Sequence, residues 1–444
     1  MKKFKNLLIY TAMFTGVVLY SCEGPMGPAG QNGEDGTDAN ESCKLCHNSS
    51  VVDSVAGLYA FSKHSFGETA EEETGSTGCA PCHESEGFKY VCKNNTSVAF
   101  IPDPANAGKY LNPYASSTST AYGEFNCFMC HSSLHTDYVY DDFKTLTTNA
   151  AVPMSMWGGS QTINLTQDNG SSNLCVKCHQ PRPFTNSATD KNVLNYALLA
   201  SNPADTFYKA TRLTGTNVLK PGYRTHTHYG TVGAIFAGKG GVQFSGTLAY
   251  TNSSHTTAAS CSDCHMATPV TSTSIAVAGG HTFKAKGNFN GCSSCHPSVT
   301  NASQAAAFWA TPRTEIKGLL DNLAGLLKES GIDILNRNGD SESNLWYGLT
   351  ANNYDGYLNI YDPVNNPAGG TYNTTMFKNP STTGFSSGQI TTNNGLTALT
   401  LTNAQMGAII NFQLCLREYS LGIHNYSYTK ALLTNSIALL TPKK

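Results

Sequence analysis

The sequence predicts a mainly α-helical protein with extensive loops and little β structure. A five-residue pattern, Cys-x-x-Cys-His, occurs six times along the 444 residues, and its two cysteines lie about one helical turn apart. The segments between the copies are rich in Gly, Asn, Pro and Ser, which favours loops. After the last copy, leucines recur at three- and four-residue spacing. Short helices around each copy and longer helices near the C-terminus are therefore expected.

The repeated pattern is the attachment signature of c-type haem. Two thiols on one side of a helical turn can reach both vinyl groups of a porphyrin, and the adjacent imidazole can reach the iron. Zinc also binds Cys-x-x-Cys pairs, but zinc does not require His directly after every pair. The sequence predicts six haem c groups and a fold organised around packed haems. The six motifs are Cys43, Cys46 and His47; Cys79, Cys82 and His83; Cys127, Cys130 and His131; Cys175, Cys178 and His179; Cys261, Cys264 and His265; and Cys292, Cys295 and His296.

The N-terminal residues indicate export. A basic start precedes an apolar run from Leu7 to Tyr20, which is too short to span a bilayer and is typical of a signal peptide over residues 1–21. The run closes in Leu19-Tyr20-Ser21-Cys22, which resembles a bacterial lipobox with lipidation of Cys22. The Tyr two residues before the Cys is atypical, and ordinary cleavage is the alternative. We expect an exported protein anchored by lipid to the outer membrane at the cell surface, with a periplasmic location as the alternative.

Three further regions follow the signal peptide. Residues 22–40 hold the lipidated Cys and a collagen-like Gly-x-y series, which favours a flexible spacer over a trimerising triple helix. Residues 41–300 hold all six motifs at uneven spacing and form the expected hexahaem-binding domain. Porphyrins, rather than a conventional side-chain core, are expected to fill most of its buried volume. Residues 301–444 form a C-terminal helical region with a polar insertion.

The C-terminal region carries three helix signals. Leucines at helical spacing predict a helix over Ala305–Ser330, and Thr402 is a suitable N-cap for a second helix that ends near Tyr419. A third helix is predicted over Tyr426–Leu440. A Gly- and Asn-rich insertion, residues 345–399, separates the first helix from the second.

The composition excludes some classes of partner. Lys plus Arg number 28 against 30 for Asp plus Glu. This near balance of charge gives no indication of a nucleic-acid partner. Residues 68–73 form an acidic run that is most simply a solvated loop, with docking of a basic redox partner as the alternative. Of the fifteen cysteines, twelve belong to the motifs and Cys22 to the lipid site. Cys92 and Cys415 remain, either as a disulfide or as two separate buried thiols.

Each iron needs a second axial ligand, and seven histidines outside the motifs are candidates. They permit two imidazoles for every one of the six irons, with one to spare. His135 follows His131 by four residues and lies on the same helical side, so it is expected to serve a neighbouring haem. His226 and His228 straddle one residue, and one of them is the expected spare. The seven candidates are His64, His135, His226, His228, His255, His281 and His424.

Several segments resemble exported bacterial multihaem c-type cytochromes. The run His226-Thr227-His228-Tyr229-Gly230 and the surroundings of His255 and His281 carry this resemblance. The run Gly422-Ile423-His424-Asn425-Tyr426 resembles the distal-ligand segment of multihaem nitrite reductases, hydroxylamine oxidoreductases and their electron-transfer relatives, although that family usually has Pro where Tyr426 stands. The resemblance implies His255, His281 and His424 as distal ligands. The beginning of the chain is similar to that of surface cytochromes of Bacteroidota-type bacteria.

Three functions are compatible with these features. The first is electron transfer through bis-histidine haems, between the cell envelope and an extracellular acceptor or another redox protein. The second is reduction of a small nitrogen or sulfur compound at one open haem. No Cys-x-x-Cys-Lys motif of the nitrite reductase type occurs, and Arg182, Arg212 and Arg224 would serve a substrate anion or, more simply, surface solvation. The third is a subunit of a cytochrome filament, or another homo-oligomer, in which distal histidines serve a neighbouring copy. The first is favoured, and it makes the protein an electron carrier rather than an enzyme.

Overall fold

The computed structural model agrees with the predicted fold class at the level of secondary structure, since helices predominate, strands are few and loops are extensive. The chain divides into two compact units, Met1–Gly57 and Leu58–Lys444. The structure describes residues 48–66, 80–95, 101–102, 110–111, 125–131, 146–157, 161–182, 196–207, 226–272, 275–336, 354–360 and 401–442.

Fourteen α-helices, α1 to α14, occur within these ranges. None of the helices in the described part of the chain is both long and apolar enough to cross a membrane. In chain order they are Ser49–Tyr59, Lys63–Phe66, Ala80–His83, Ser85–Asn94, Cys127–Cys130, Ser171–Val176, Tyr196–Ser201, Val232–Phe236, His255–Ala258, Cys261–His265, Asn290–Ser293, Ala302–Glu329, Asn403–Arg417 and Tyr426–Leu440. Single 3₁₀ turns occur at Ser155–Trp157 and Gly280–Thr282.

The strands form four separate antiparallel pairs of two strands each. The longest pair joins β7, Ile332–Asn336, and β8, Tyr354–Ile360, with Ile332 opposite Ile360. β8 lies inside the segment that the sequence predicted to be a polar insertion. Leu358 is fully buried and lies opposite the buried Ile334, and this apolar pair explains why the segment forms a strand. In chain order the strands are Ile101–Pro102, Tyr110–Leu111, Val152–Pro153, Thr162–Ile163, Val270–Ser272, Ile275–Ala278, Ile332–Asn336 and Tyr354–Ile360.

Short helices surround the motifs, as the sequence predicted. α5 begins after Asn126, whose side chain accepts a hydrogen bond from the Phe128 N–H. α10 begins after Ser260, which forms a capping box with Asp263. Such caps satisfy the first backbone N–H groups of helices that are too short to be stable alone. The local sequence therefore stabilises the turns that place the cysteines of the third and fifth motifs.

The C-terminal helices confirm the sequence prediction closely. α12 begins after Asn301, and the chain leaves it through Gly331, whose φ of 84° suits glycine. α13 begins with the predicted cap, since Thr402 and Gln405 form a capping box. α14 has the predicted bounds. The apolar sides of the three helices pack together with β7 and β8.

The largest hydrophobic core extends beyond the C-terminal helices. It includes Tyr196, Phe207 and Phe244, which lie in the region predicted to bind haems. A second core, around Met154 and Ile163, lies wholly inside that region. The region predicted to bind haems therefore buries more side-chain core than the sequence predicted, because its segments near residues 152–165 and 232–244 pack on each other and on α13.

A buried asparagine joins this region to the C-terminal helices. Asn411 on α13 is completely buried, and its side-chain oxygen accepts the backbone N–H of Val242 at 2.8 Å. Its amide nitrogen donates to the Val242 carbonyl at 2.8 Å and to Ser436 Oγ at 3.0 Å. One side chain thus satisfies both backbone groups of a buried residue, which explains why a polar side chain lies in an otherwise apolar helix.

The substitution Asn411→Ala should lower the free energy of unfolding by about 2–4 kcal/mol, because it leaves two buried backbone groups of Val242 without partners. Urea unfolding followed by circular dichroism measures the change. The matched control is Asn301→Ala, which removes an exposed N-cap and should cost about 1 kcal/mol. Equal losses in the two variants would contradict the role assigned to Asn411.

Candidate functional site

The structure describes most of the predicted site. The proximal candidates His83, His131, His179, His265 and His296 are among the described residues. Residues Cys22, Cys43, Cys46, His47, Cys79 and His135 lie outside them, so the lipid site, the first motif and one distal candidate remain predictions. The other six distal candidates are described.

Every described motif histidine faces a histidine from outside the motifs. The rings lie 6.1 to 6.4 Å apart between centroids, so no imidazole nitrogen bonds directly to its partner ring. In four of the five pairs the partners are more than a hundred residues apart in the chain. The pairs are His64 and His179 at 6.1 Å, His83 and His228 at 6.4 Å, His131 and His281 at 6.4 Å, His255 and His296 at 6.1 Å, and His265 and His424 at 6.2 Å.

This separation fits an iron atom between two imidazoles. A metal–nitrogen bond of about 2.0–2.1 Å, plus roughly 1.1 Å from that nitrogen to the ring centre, places two trans imidazole centroids about 6.3 Å apart. Direct ring stacking without a metal would bring the centroids closer, as it does for His296 and Phe308 at 4.5 Å. Two axial nitrogens leave four positions in a plane, which a porphyrin would fill. The five pairs therefore have the spacing that haem iron requires.

Three paired imidazoles have a hydrogen-bond acceptor at Nδ1. His255 Nδ1 lies 3.1 Å from the Ile423 carbonyl and His265 Nδ1 lies 2.8 Å from the Phe283 carbonyl. His424 Nδ1 lies 2.5 Å from Glu418 Oε2. Since a carbonyl or carboxylate oxygen can only accept, Nδ1 carries the proton and the Nε2 lone pair is available to a metal.

Two histidines have the opposite arrangement. His228 Nδ1 lies 3.0 Å from Arg182 Nη2, and His226 Nδ1 lies 2.5 Å from Arg417 Nη1. A guanidinium can only donate, so these Nδ1 atoms accept and the ring proton lies on Nε2. The backbone N–H of His228 also donates to His226 Nδ1 at 2.9 Å. His226 Nδ1 therefore has two donors, whereas His228 also faces the motif histidine His83.

Arg182 differs from the sequence expectation. Surface solvation was its expected role, but the side chain is half-buried and its guanidinium contacts His228. Arg417 is fully buried, and its guanidinium lies 4.3 Å from the centre of the Tyr229 ring. The two arginines form a positive cluster beside the His83–His228 pair. Arg212 and Arg224 lie outside the described residues.

The chain holds neighbouring motifs in contact. Cys178 Sγ lies 3.8 Å from the Cys82 carbonyl, which joins the fourth motif to the second. The Cys261 N–H donates to Ser172 Oγ at 3.0 Å, which joins the fifth motif to the fourth. Cys264 Sγ lies 4.0 Å from the carbonyl of Gly291, just before the sixth motif. Among the described residues, the second, fourth, fifth and sixth motifs are therefore linked to one another by contacts at or next to their cysteines.

An aromatic ring connects two of the imidazole pairs. The Phe283 ring lies 5.0 Å from the His64 ring and 5.8 Å from the His281 ring, between centroids. His64 belongs to the pair with His179, and His281 to the pair with His131. The Phe283 ring therefore lies between two of the imidazole pairs.

Burial and neighbouring imidazoles lower the pKa of several of the paired histidines. Burial, together with repulsion from His64 and His265, lowers the pKa of His179 to about 3. Burial is also the main cause of the lowered pKa values of His265 and His281. A neutral imidazole is the form that binds a metal ion.

Glu418 is a charged residue that the sequence analysis missed. It is only 1 % exposed and lies at the end of α13, where no motif or spacing marks it. Burial would raise its pKa, but hydrogen bonds from His424, Ser420 and Gly422 outweigh burial and hold the pKa below its ordinary value. The only sequence signal for Glu418 is its position six residues before the candidate ligand His424.

The two remaining cysteines are separate buried thiols. Cys92 packs with Phe88 and Met129 near the second and third motifs, whereas Cys415 lies in the core of the C-terminal helices. Both thiols are free. Burial raises the pKa of Cys92 to about 12, so this thiol is unreactive.

In the part of the chain that the structure describes, no three His, Cys, Asp or Glu side chains converge on one metal position. Each imidazole pair supplies two ligands only, so a metal bound there needs the rest of its ligands from a cofactor. Comparison of the chain with protein families, with curated proteins and with solved structures found no match.

Proposed function

We propose that this protein is an exported multihaem c-type cytochrome that carries electrons through six covalently bound haems. One observation carries the proposal: every described motif histidine faces a second imidazole at 6.1 to 6.4 Å between ring centroids. The Cys-x-x-Cys pairs would hold each porphyrin by two thioether bonds, and each imidazole pair would hold the iron. His135 and His226 are the two candidates for the second ligand at the first motif.

The residues of the chain would do three things for electron transfer. Two imidazoles per iron occupy both axial positions, so no position is free for a substrate. Burial and hydrogen bonds around each imidazole set the potential of each site. Contacts between successive motifs keep neighbouring sites close enough for electrons to pass. The bound haem supplies a one-electron iron couple at each site.

The proposal includes a location and partners. Export follows from the signal peptide of residues 1–21, and lipidation of Cys22 would anchor the protein to the outer membrane at the cell surface. Other redox proteins and an extracellular electron acceptor are the proposed partners. A filament or another homo-oligomer is the alternative assembly. In it, a neighbouring copy would supply the second ligand to the iron bound by His47.

A second candidate function is supported by the positive cluster at one pair. Arg182 donates to His228 Nδ1, which leaves the ring proton on Nε2, where an iron would need a lone pair. If that arrangement persists in the haem-bound protein, the iron at His83 has an open position beside Arg182 and Arg417. Such a site would suit reduction of a small nitrogen or sulfur oxyanion, because guanidinium groups bind oxyanions and stabilise negative charge.

One spectrum separates the two candidates. Carbon monoxide binds reduced haem only where an axial position is open. For the electron carrier, the Soret band of the reduced protein should be unchanged by carbon monoxide. A shift that involves about one sixth of the Soret absorbance would favour the reductase. Arg182→Ala should then abolish that shift, because without the Arg182 donor the His228 Nε2 lone pair is available to bind iron.

The double substitution Cys261→Ser with Cys264→Ser should leave the protein with five covalently bound haems in place of six, because both thioether bonds of the fifth motif are lost. The intact mass and a pyridine haemochrome assay give the haem number. The matched control is Cys92→Ser, a buried thiol outside the motifs, which should retain six haems. Six haems in the double variant would refute the assignment of the fifth motif.

The substitution His255→Ala should create one haem that binds carbon monoxide, since it removes the imidazole that faces His296. His255 is exposed, so the rest of the fold should be little disturbed. Thr257→Ala, an exposed substitution on the same helix, is the matched control and should leave the spectrum as it is in the unmodified protein. An unchanged spectrum in His255→Ala, or a carbon monoxide shift in the control, would contradict the assignment of His255.

A further inference from the structure

A short loop between α13 and α14 directs a buried carboxylate onto one of the paired imidazoles. Glu418 Oε2 accepts from His424 Nδ1 at 2.5 Å and from Ser420 Oγ at 2.6 Å. Glu418 Oε1 accepts from the backbone N–H of Gly422 at 2.8 Å. The side chain of Glu418 is fully buried, whereas that of His424 is 22 % exposed. All three neighbours donate, so both oxygens act as acceptors and the group is a carboxylate.

The backbone of this loop adopts a strained conformation that brings His424 into contact with Glu418. Tyr419 and Leu421 have φ values of 65° and 57°, and Gly422 has a φ of 90°. Residues other than glycine rarely adopt this left-handed conformation, because Cβ then crowds the backbone. Two such residues within four positions turn the chain back on itself, which places His424 above the Glu418 carboxylate. Strain of this kind persists where the surrounding structure requires it.

The carboxylate distinguishes His424 from the other paired imidazoles whose Nδ1 acceptor is described. His255 and His265 donate to neutral backbone carbonyls, whereas His424 donates to a negative charge. A charged acceptor draws the Nδ1 proton more strongly and makes Nε2 a better electron donor. A more basic axial ligand stabilises ferric iron over ferrous iron, and a buried negative charge acts in the same direction.

We propose that Glu418 lowers the reduction potential of the haem held between His265 and His424. This inference rests on the haem-binding function proposed above. Glu418 is a positioning and potential-setting residue, since it touches the ligand and not the iron. In a series of otherwise similar bis-histidine sites, such a residue makes one site a weaker electron acceptor than its ligands alone would make it.

The test is a spectroscopic redox titration of the purified holoprotein and of Glu418→Gln. Glutamine keeps the shape of the side chain and an acceptor oxygen but removes the charge. One component of about one sixth of the total absorbance change should move to higher potential, with an oxidised-to-reduced ratio about tenfold lower at a fixed potential, which corresponds to about 59 mV for one electron. An unchanged titration, or a shift to lower potential, would overturn the inference.

A second variant gives the opposite sign and does not depend on the first. Ser420→Ala removes a donor from Glu418 Oε2, the oxygen that accepts from His424, so more negative charge remains for the imidazole. The same component should move to lower potential. A purely structural disturbance of the loop would move both variants in one direction. If Glu418→Gln does not accumulate, an unchanged or raised potential in Ser420→Ala overturns the inference.

The double variant that lacks the fifth haem assigns the shift to its site. In the Cys261→Ser and Cys264→Ser background, Glu418→Gln should produce no shift, because the affected component is absent. A persistent shift would place the effect at another haem and overturn the inference. Absence of covalent haem from the unmodified protein would instead refute the proposed function, so the two failures are distinguishable by haem content.

Discussion

The architecture depends on holding pairs of imidazoles about 6 Å apart without direct contact between them. Each pair joins two segments, and His64 with His179 or His265 with His424 are separated by more than a hundred residues. Closing such long loops costs chain entropy, and local helix propensity does not offset that cost. Segments that are distant in the sequence must nevertheless meet at each imidazole pair. This requirement explains why the motif helices are single turns joined by long loops.

The loops that carry the histidines contact α13 and the segment between α13 and α14. α13 and α14 are largely buried, and the segment around them contacts three of the candidate histidines. Arg417 contacts His226, the Ile423 carbonyl accepts from His255, and Glu418 accepts from His424. A region that the sequence marked mainly as packing thus also sets the chemical surroundings of the site. Its core fixes those contacts because close packing leaves little room for movement.

Sequence patterns predicted what depends on local spacing. The motif turns, the Thr402 cap and the bounds of α14 follow from periodicity and capping, and the structure has them. The histidine pairs could not be predicted, because separation along the chain does not determine which loops meet. Strand β8 and the role of Glu418 were also missed, since one depends on a long-range apolar contact and the other on a single buried charge. The sequence therefore supplied the candidate ligands, but not their partners.

The partner of Nδ1 is what makes chemically identical ligands different. A carboxylate contacts His424, backbone carbonyls contact His255 and His265, and a guanidinium contacts His228. Acceptors leave the Nε2 lone pair free and enrich it, whereas a cation keeps the proton on Nε2 and depletes it. In the proposed haem-bound protein, the sites would be graded from strongly donating to weakly bound by these contacts alone. The same difference in electron donation by Nε2 would distinguish a site that passes electrons from a site with a position open to a substrate.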